Sequence, residues 1–314
     1  MATKKSSTKR PTGARATRPP ARRGRPAGLF TWLAVGLVVV VGVVFVIIKV
    51  APSGNSGGGA TSWTAASPTT VQQLTHIPDS VYNAVGVSSP SVPVSPPQSE
   101  KNLPPLTATS ASGAVEPEVL YMGAEYCPYC AAERWSTIAA LSRFGTFSGL
   151  GNMSSYANDV YPNTPTFTFS RSKYTSKYLV FKTVELYTNY LNAAKSYYAV
   201  LQTPSKAEEK EITTYDTEKY ITGLTPSTAG SIPFLSFGNK FLVSGASYSP
   251  STLAGSTRAD IAAGLSNATS PITDAIVASA NYQTAVICTL TKQQPGNVCS
   301  SSGVQAAAKA MGIK

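Results

Sequence analysis

The sequence has few of the residue types on which metal sites and hydrolytic enzymes depend. Its 314 residues include one histidine, four cysteines and four methionines. Hydrolases that pair serine or cysteine with histidine are disfavoured, because the single histidine, His76, lies outside the segment predicted to fold. A metal-transfer protein is disfavoured for the same reason and by the scarcity of methionine. No G-x-G-x-x-G motif opens a predicted helix, so we expect no flavin or nicotinamide cofactor.

Acidic residues are absent from the first 27 residues, and this explains the formal net charge of +11. Residues 1–27 contain nine of the 26 Lys and Arg residues, which leaves 17 basic against 15 acidic residues in the rest of the chain. The basicity therefore indicates a disordered tail rather than a folded nucleic-acid-binding surface. We expect no specific nucleic-acid partner.

An uncharged apolar run follows the tail at 28–48. It is long enough to cross about 30 Å of hydrocarbon as a helix. We predict an uncleaved transmembrane signal anchor over 28–50, because the run exceeds the apolar region of a signal peptide and Pro52 disfavours cleavage. A cleaved signal peptide is the alternative. The positive-inside rule then places the tail 1–27 in the cytoplasm and the rest of the chain outside it.

The composition divides the remaining chain into three parts. Residues 51–112 are rich in Gly, Ser and Pro, which predicts a linker. Apolar residues within 71–87 recur at near-helical spacing, so we predict a short element packed on the domain there, with plain linker as the alternative. The folded domain is predicted over 113–270. A helical extension containing two cysteines is predicted over 271–314.

Periodicity predicts alternating strands and helices in the domain, and hence an α/β fold. The predicted strands are 118–124, 165–170, 178–187 and a hairpin formed by 234–237 and 241–245. The predicted helices are 127–144, 189–202, 204–220, 251–266, 271–290 and 303–312.

The pair Cys127-x-x-Cys130 lies between a predicted strand and a predicted helix. A thiolate at a helix N-terminus is stabilised by the helix dipole and by unpaired backbone N–H groups. Pro128 suits the first helical position, where its missing N–H is not needed. We therefore predict thiol–disulfide exchange, with Cys127 as the outer nucleophile and Cys130 as the resolving thiol. A structural disulfide is the main alternative. Zinc is much less favoured, because no second ligand pair has suitable spacing.

The order strand, CxxC, helix, strand, Ile232-Pro233, hairpin, helix resembles the thioredoxin superfamily. The segments YMGAEYCPYCAAERWSTIAALSRFGTF, SIPFLSFGN and ANYQTAVICTL are similar to DUF929, an uncharacterised family assigned to that clan. The resemblance implies a thioredoxin-like fold, with a central mixed sheet flanked by helices and a long insertion at about 145–230. It also implies a cis-proline at Pro233 and a substrate contact at Ile232. An ordinary trans proline on an edge strand is the alternative.

Two positions depart from the thioredoxin pattern. Tyr121 replaces the buried acid that precedes the first cysteine, and Ala131 replaces the lysine that follows the second. The groups that tune proton transfer must therefore differ. The candidates are Tyr121, Glu125, Pro128, Tyr129, Glu133 and Arg134. For Glu133 and Arg134 the alternative is a solvated Glu–Arg face on the first helix.

The second cysteine pair, Cys288 and Cys299, is predicted to form a structural disulfide, because an oxidising compartment favours one. A second redox pair that relays electrons from Cys130 is the alternative. Asn152 and Asn267 begin glycosylation sequons.

The patterns together favour an extracytoplasmic, membrane-anchored protein-disulfide oxidoreductase that acts on cysteines of exported proteins. Electrons must be exchanged with another protein, for which a membrane redox partner is our hypothesis. The competing interpretation is a redox-silent binding module with structural disulfides. In that case the tyrosine-rich insertion would either dock a partner or pack within an inserted subdomain.

Overall fold

The computed structural model of the chain describes Met1 and residues 63–87 and 92–313. The predicted cytoplasmic tail and signal anchor lie outside the described residues, apart from Met1. Among the helices that are described, none is long and apolar enough to cross a membrane.

The described chain alternates between short strands and helices. The strands are β1 (Gln98–Ser99), β2 (Thr107–Thr109), β3 (Val115–Gly123), β4 (Gly145–Ser148), β5 (Gly151–Ser154), β6 (Pro165–Thr168), β7 (Lys173–Ser176), β8 (Val180–Glu185), β9 (Tyr187–Leu191), β10 (Tyr198–Val200), β11 (Phe234–Phe237) and β12 (Phe241–Ser244). The helices are α1 (Pro68–Thr75), α2 (Asp79–Val85), α3 (Pro128–Leu141), α4 (Lys206–Tyr215), α5 (Arg258–Gly264), α6 (Pro271–Leu290), α7 (Gly296–Cys299) and α8 (Ser302–Ala310).

The central sheet is mixed and contains six strands. Antiparallel neighbours run in the order β1, β12, β11, β3, and β8 pairs in parallel with the opposite edge of β3. The first residues of β3 pair with β2. Tyr121 lies in the middle of the sheet, between Leu235 of β11 and Thr183 of β8. The protein is therefore an α/β protein whose central strand leads directly into the CxxC segment.

Helices cover both faces of this sheet. Successive side chains of a strand point to opposite faces. Tyr121 packs in the cluster that contains most of α3 and α6, whereas Leu120 and Met122 pack with Ile212 of α4. The sheet is therefore buried on both sides at β3, which explains the continuous apolar run of this strand.

Helix α3 is buried on nearly all sides, since only Tyr129 among its residues is partly exposed. It packs against α6, α1 and β6. Hydrogen bonds from three neighbouring segments fix its position: the Trp135 indole donates to the Pro165 carbonyl at 2.9 Å, the Tyr82 hydroxyl to Ala139 at 3.1 Å and the Tyr248 hydroxyl to Ala132 at 2.7 Å. The first turn of α3 therefore stands on a rigid support.

The segment 71–87, predicted as a short packed element, lies within α1 and α2. Leu74 and Val81 are buried against the domain. The Asn281 amide of α6 donates to the carbonyl oxygens of Tyr82 and Gly86 at 2.9 and 2.7 Å. These two helices therefore belong to the folded unit.

Three predictions about secondary structure were wrong. The predicted helix 189–202 is a strand pair, β9 and β10, because the Asn192 side chain accepts a hydrogen bond from the Ser196 amide at 3.1 Å and fixes a turn between them. The predicted helix 251–266 breaks at Gly255, where φ is +77°, and α5 begins after it. The linker 51–112 contributes β1 and β2 to the sheet, because their backbone groups complete strand edges.

Candidate functional site

The two cysteines occupy the N-terminus of α3. Cys127 is the N-cap residue and has an extended backbone, and Pro128 takes the first helical position. The Cys130 amide donates a hydrogen bond to Cys127 Sγ at 3.3 Å. Both residues carry free thiols. A thiolate at Cys127 would thus meet an unpaired backbone N–H group and the positive end of the helix dipole.

The two thiols differ in their surroundings. Cys130 is fully buried and Cys127 is 4% exposed. Burial raises the pKa of the Cys130 thiol well above its ordinary value, the hydrogen bond to Cys127 raises it further, and the charge of Arg134 lowers it. Cys127 is thus the more accessible sulfur, and Cys130 needs assistance to ionise.

The Ile232–Pro233 peptide bond is cis, and it lies beside the CxxC pair. The Cys127 thiol donates to the Ile232 carbonyl oxygen at 3.8 Å. The Gly245 amide donates to the Pro233 carbonyl oxygen at 2.8 Å, which ties the loop to the end of β12. The fold therefore brings these two segments together although they are about a hundred residues apart in sequence.

Tyrosines surround the CxxC segment, and we call them the tyrosine rim. The rim comprises Tyr126, Tyr129, Tyr156, Tyr161, Tyr187, Tyr197 and Tyr198. The Tyr126 and Tyr198 rings stack with centroids 3.8 Å apart, and Tyr129 meets Tyr161 edge-on at 5.9 Å. Burial raises the pKa of Tyr126 well above its ordinary value, and the charge of a neighbouring Tyr197 raises it further. Sequence analysis missed the contribution of β9 and β10 to this rim, because it assigned them to a helix.

A buried ion pair lies on α3 one turn beyond Cys130. Arg134 Nε and Nη2 donate to the two carboxylate oxygens of Glu185 at 2.9 and 2.6 Å, and Nη2 also donates to the Ala124 carbonyl at 2.8 Å. Both side chains are fully buried. Sequence analysis did not identify Glu185, although an acid at the end of the apolar strand 178–187 was a usable signal.

Glu125 lies next to this ion pair and is 2% exposed. The Thr168 hydroxyl donates to Glu125 Oε1 at 2.6 Å. Burial raises the pKa of Glu125 to about 7, the hydrogen bond from Thr168 opposes that shift, and the nearby Glu185 charge adds to it. Glu125 can therefore exchange a proton close to neutral pH.

Glu133 is fully buried and interacts with the C-terminal part of the domain. The Ser247 amide and the Gln283 side-chain amide donate to its carboxylate at 2.7 and 2.8 Å. Burial raises the pKa of Glu133 to about 7. The alternative of a solvated Glu–Arg face is therefore wrong, since Glu133 and Arg134 have no exposed surface.

Tyr121 is fully buried beneath the CxxC segment. Its ring lies 5.7 Å from the Arg134 guanidinium carbon, and its hydroxyl has no hydrogen-bond partner. Burial raises the pKa of Tyr121 well above its ordinary value. The position at which thioredoxins carry a buried acid thus holds a neutral hydroxyl here.

A family model described as a domain of unknown function, DUF929, matches residues 107–289. That range covers more than half of the chain. The protein belongs to the DUF929 family. The DUF929 match includes the CxxC pair, Ile232–Pro233 and Cys288, and it ends before Cys299. No curated protein and no solved structure matches the chain.

The predicted site residues of this DUF929 protein separate into three groups. Cys127, Cys130, Ile232, Pro233, Pro128 and Tyr129 lie around the thiols. Tyr121, Glu125 and Arg134 form a layer with Glu185 that interacts electrostatically. Glu133 instead bonds to Ser247 and Gln283.

Cys288 and Cys299 form a disulfide that joins α6 to α7, with Cα atoms 5.7 Å apart. Over the described residues, no group of three or more His, Cys, Asp and Glu side chains is arranged to hold a metal ion.

Proposed function

We propose that this protein is an extracytoplasmic, membrane-anchored thiol–disulfide oxidoreductase that acts on cysteines of exported proteins. One observation carries the proposal: the more accessible thiol, Cys127, caps a helix with the buried Cys130 behind it and the Ile232 carbonyl oxygen 3.8 Å away. This arrangement supplies a nucleophile, a resolving thiol and an adjacent backbone segment for a substrate.

The fold that we propose is thioredoxin-like. Support comes from the sheet order β8, β3, β11, β12, in which β3 and β8 are parallel and the last two strands are antiparallel. Helix α3, which begins with the CxxC pair, follows β3. A cis-proline directly precedes β11. These features match the element order that the sequence resemblance implies.

The chemistry requires only the two thiols and a substrate disulfide. The Cys127 thiolate attacks one sulfur of the substrate, and a mixed disulfide forms as the other substrate sulfur leaves as a thiolate. Cys130 then attacks Cys127 Sγ, the Cys127–Cys130 bond forms, and the second substrate sulfur leaves. The protein loses two electrons and two protons, and the substrate gains them. The reverse sequence oxidises a substrate dithiol.

The compartment follows from two features. The buried Cys288–Cys299 disulfide suits an oxidising environment. The basic tail 1–27 beside the apolar run 28–48 suits a signal anchor with a cytoplasmic N-terminus. We propose a membrane redox partner because no cofactor motif in the sequence would exchange electrons directly.

A binding module without redox activity is the second candidate. The observation that favours it is the 4% exposure of Cys127 beneath the tyrosine rim. A thiol this enclosed must be uncovered before a protein substrate can reach it. The tyrosines would then serve as a docking surface rather than as the walls of a reaction site.

Trapping a mixed disulfide tests the proposal. Cys130→Ser leaves Cys127 able to attack a substrate but removes the thiol that resolves the complex. Expressed as the full-length chain in its native membrane, this variant should accumulate disulfide-linked adducts that disappear on reduction. The matched control is Cys127→Ser, which keeps Cys130 and should trap nothing. Equal adduct yields from the two variants, or none from either, would favour the binding module.

A further inference from the structure

Two buried polar groups beside Cys130 have no hydrogen-bond partner in the described structure: the Tyr121 hydroxyl and Arg134 Nη1. A buried polar group without a partner costs about 1–3 kcal/mol. Such groups are uncommon in native proteins and are concentrated at sites of chemistry. The remaining donors of Arg134 are paired with Glu185 and Ala124. One donor of the guanidinium thus stays unused next to an unused hydroxyl.

The backbone directs the Tyr121 hydroxyl toward the CxxC segment. Tyr121 and Gly123 are two residues apart on β3, so they share a face of the sheet. A Cβ atom at Gly123 would lie 2.3 Å from the Tyr121 hydroxyl oxygen. The glycine therefore makes room for the phenol at the end of the strand, where the chain turns toward Cys127.

Arg134 approaches Cys130 from the helix. The two residues are four apart on α3, so their side chains are neighbours on one face. The Arg134 guanidinium also lies 5.7 Å from the Tyr121 ring. Cys130 interacts electrostatically with both Tyr121 and Arg134. A thiolate at Cys130 would thus find both unused donors in its surroundings.

We propose that Tyr121 and Arg134 together stabilise the Cys130 thiolate in the resolving step, with the Tyr121 hydroxyl donating a hydrogen bond and Arg134 supplying the positive charge. The inference rests on the proposed function and assigns the groups that make its second step possible. It replaces a buried carboxylate as proton acceptor by a buried donor and a buried cation.

The step balances as follows. In the mixed disulfide, Cys127 Sγ is bonded to a substrate sulfur. Cys130 releases its proton to water and attacks Cys127 Sγ as a thiolate. The Cys127–Cys130 bond forms, the bond to the substrate breaks, and the departing substrate thiolate takes a proton from water. Stabilisation of the Cys130 anion lowers the barrier because ionisation precedes attack.

Other ionisable groups near Cys130 already have their own partners. Glu185 is bonded to Arg134, Glu125 accepts from Thr168, and the Cys127 sulfur is consumed in the mixed disulfide. No described carboxylate is hydrogen-bonded to Cys130. The pH dependence of the resolving step should therefore report Cys130 under the influence of Tyr121 and Arg134.

Tyr121→Phe tests the inference with the full-length protein and Ellman's reagent as probe. The reduced protein forms a mixed disulfide at Cys127, and attack by Cys130 then releases a second coloured thiolate. We expect Tyr121→Phe to slow this second release about tenfold, which is the effect of one hydrogen bond to a charged group. The pH midpoint of the release should rise by about one unit. The first release should keep its wild-type rate.

Tyr248→Phe is the matched control, because Tyr248 is equally buried against α3 but its hydroxyl donates to the Ala132 carbonyl. It should lose stability in urea and keep the wild-type release rate. Tyr121→Phe should show the opposite pattern, since its hydroxyl has no partner to lose. The double variant Arg134→Gln, Glu185→Gln removes both charges and should also raise the pH midpoint.

The outcomes separate the two proposals. A wild-type protein that releases both thiolates, with a Tyr121→Phe variant of equal rate and pH midpoint, would overturn this inference alone. A wild-type protein in which Cys127 never forms the mixed disulfide would overturn the proposed function and this inference with it.

Discussion

Replacing Glu133 with glutamine should change how the stability of this protein depends on pH. The Glu133 carboxyl is fully buried and has hydrogen bonds but no cationic partner. Burial raises its pKa from 4.5 in the unfolded chain to about 7 in the folded one. Folding therefore favours the protonated form. The full contribution of this group to stability is present below pH 4.5 and is lost as the pH rises toward 7.

The size of the effect follows from the two pKa values. The difference between 4.5 and about 7 corresponds to about 3 kcal/mol of unfolding free energy, lost once the pH exceeds the folded value. A glutamine at this position does not titrate. Its carbonyl can still accept the Ser247 amide, and its NH2 group can donate to Gln283 Oε1, which has no partner in the structure. The Glu133→Gln variant should therefore gain about 3 kcal/mol relative to wild type between about pH 4 and pH 8.

Urea unfolding of both proteins across this pH range measures the difference, with the Cys288–Cys299 disulfide kept intact. Burial also raises the pKa of Glu125 to about 7 and of Asp216 to about 8. Both residues are unchanged in the variant, so their contributions cancel in the comparison. Glu209→Gln, at an exposed position of α4, is the matched control. Parallel stability curves for wild type and Glu133→Gln would refute the reasoning.

Two further predictions concern the disulfide and the tyrosine rim. The double variant Cys288→Ser, Cys299→Ser should lose about 2–3 kcal/mol of unfolding free energy, because the bridge closes a short loop in the unfolded chain; a loss below about 0.5 kcal/mol in urea unfolding would contradict this. Tyr198→Ala removes the ring that stacks on Tyr126 at 3.8 Å, so in a Cys130→Ser background iodoacetamide should alkylate Cys127 several-fold faster. An unchanged alkylation rate would show that the rim does not limit access.

The sequence was sufficient where the signals are local. The strand, the CxxC pair and α3 are adjacent in the chain, and Pro128 and the apolar spacing mark the helix directly. The hairpin of β11 and β12 is marked by the turn Gly238-Asn239-Lys240, in which Gly238 and Asn239 have positive φ. Such features depend on a few neighbouring residues and need no knowledge of the tertiary structure.

Contacts between distant segments decided the features that the sequence did not reveal. Residues 189–202 have helical spacing, but their tyrosines pack on Tyr126 and draw the segment into a strand pair. Arg134 and Glu185 are 51 residues apart, and they meet only because α3 connects β3 to the parallel strand β8. The burial of Glu133 depends likewise on α6. Tertiary packing thus overrode local preference at each of these positions.

The reduction potential of the Cys127–Cys130 pair tests the central claim most directly. The full-length protein would be equilibrated in glutathione buffers, with the Cys288→Ser, Cys299→Ser variant measured alongside to isolate the CxxC pair. A catalytic pair should titrate between about −270 and −120 mV, and the double variant should give the same value. A pair that stays oxidised below about −300 mV would instead be a structural disulfide, and it would contradict the proposed oxidoreductase.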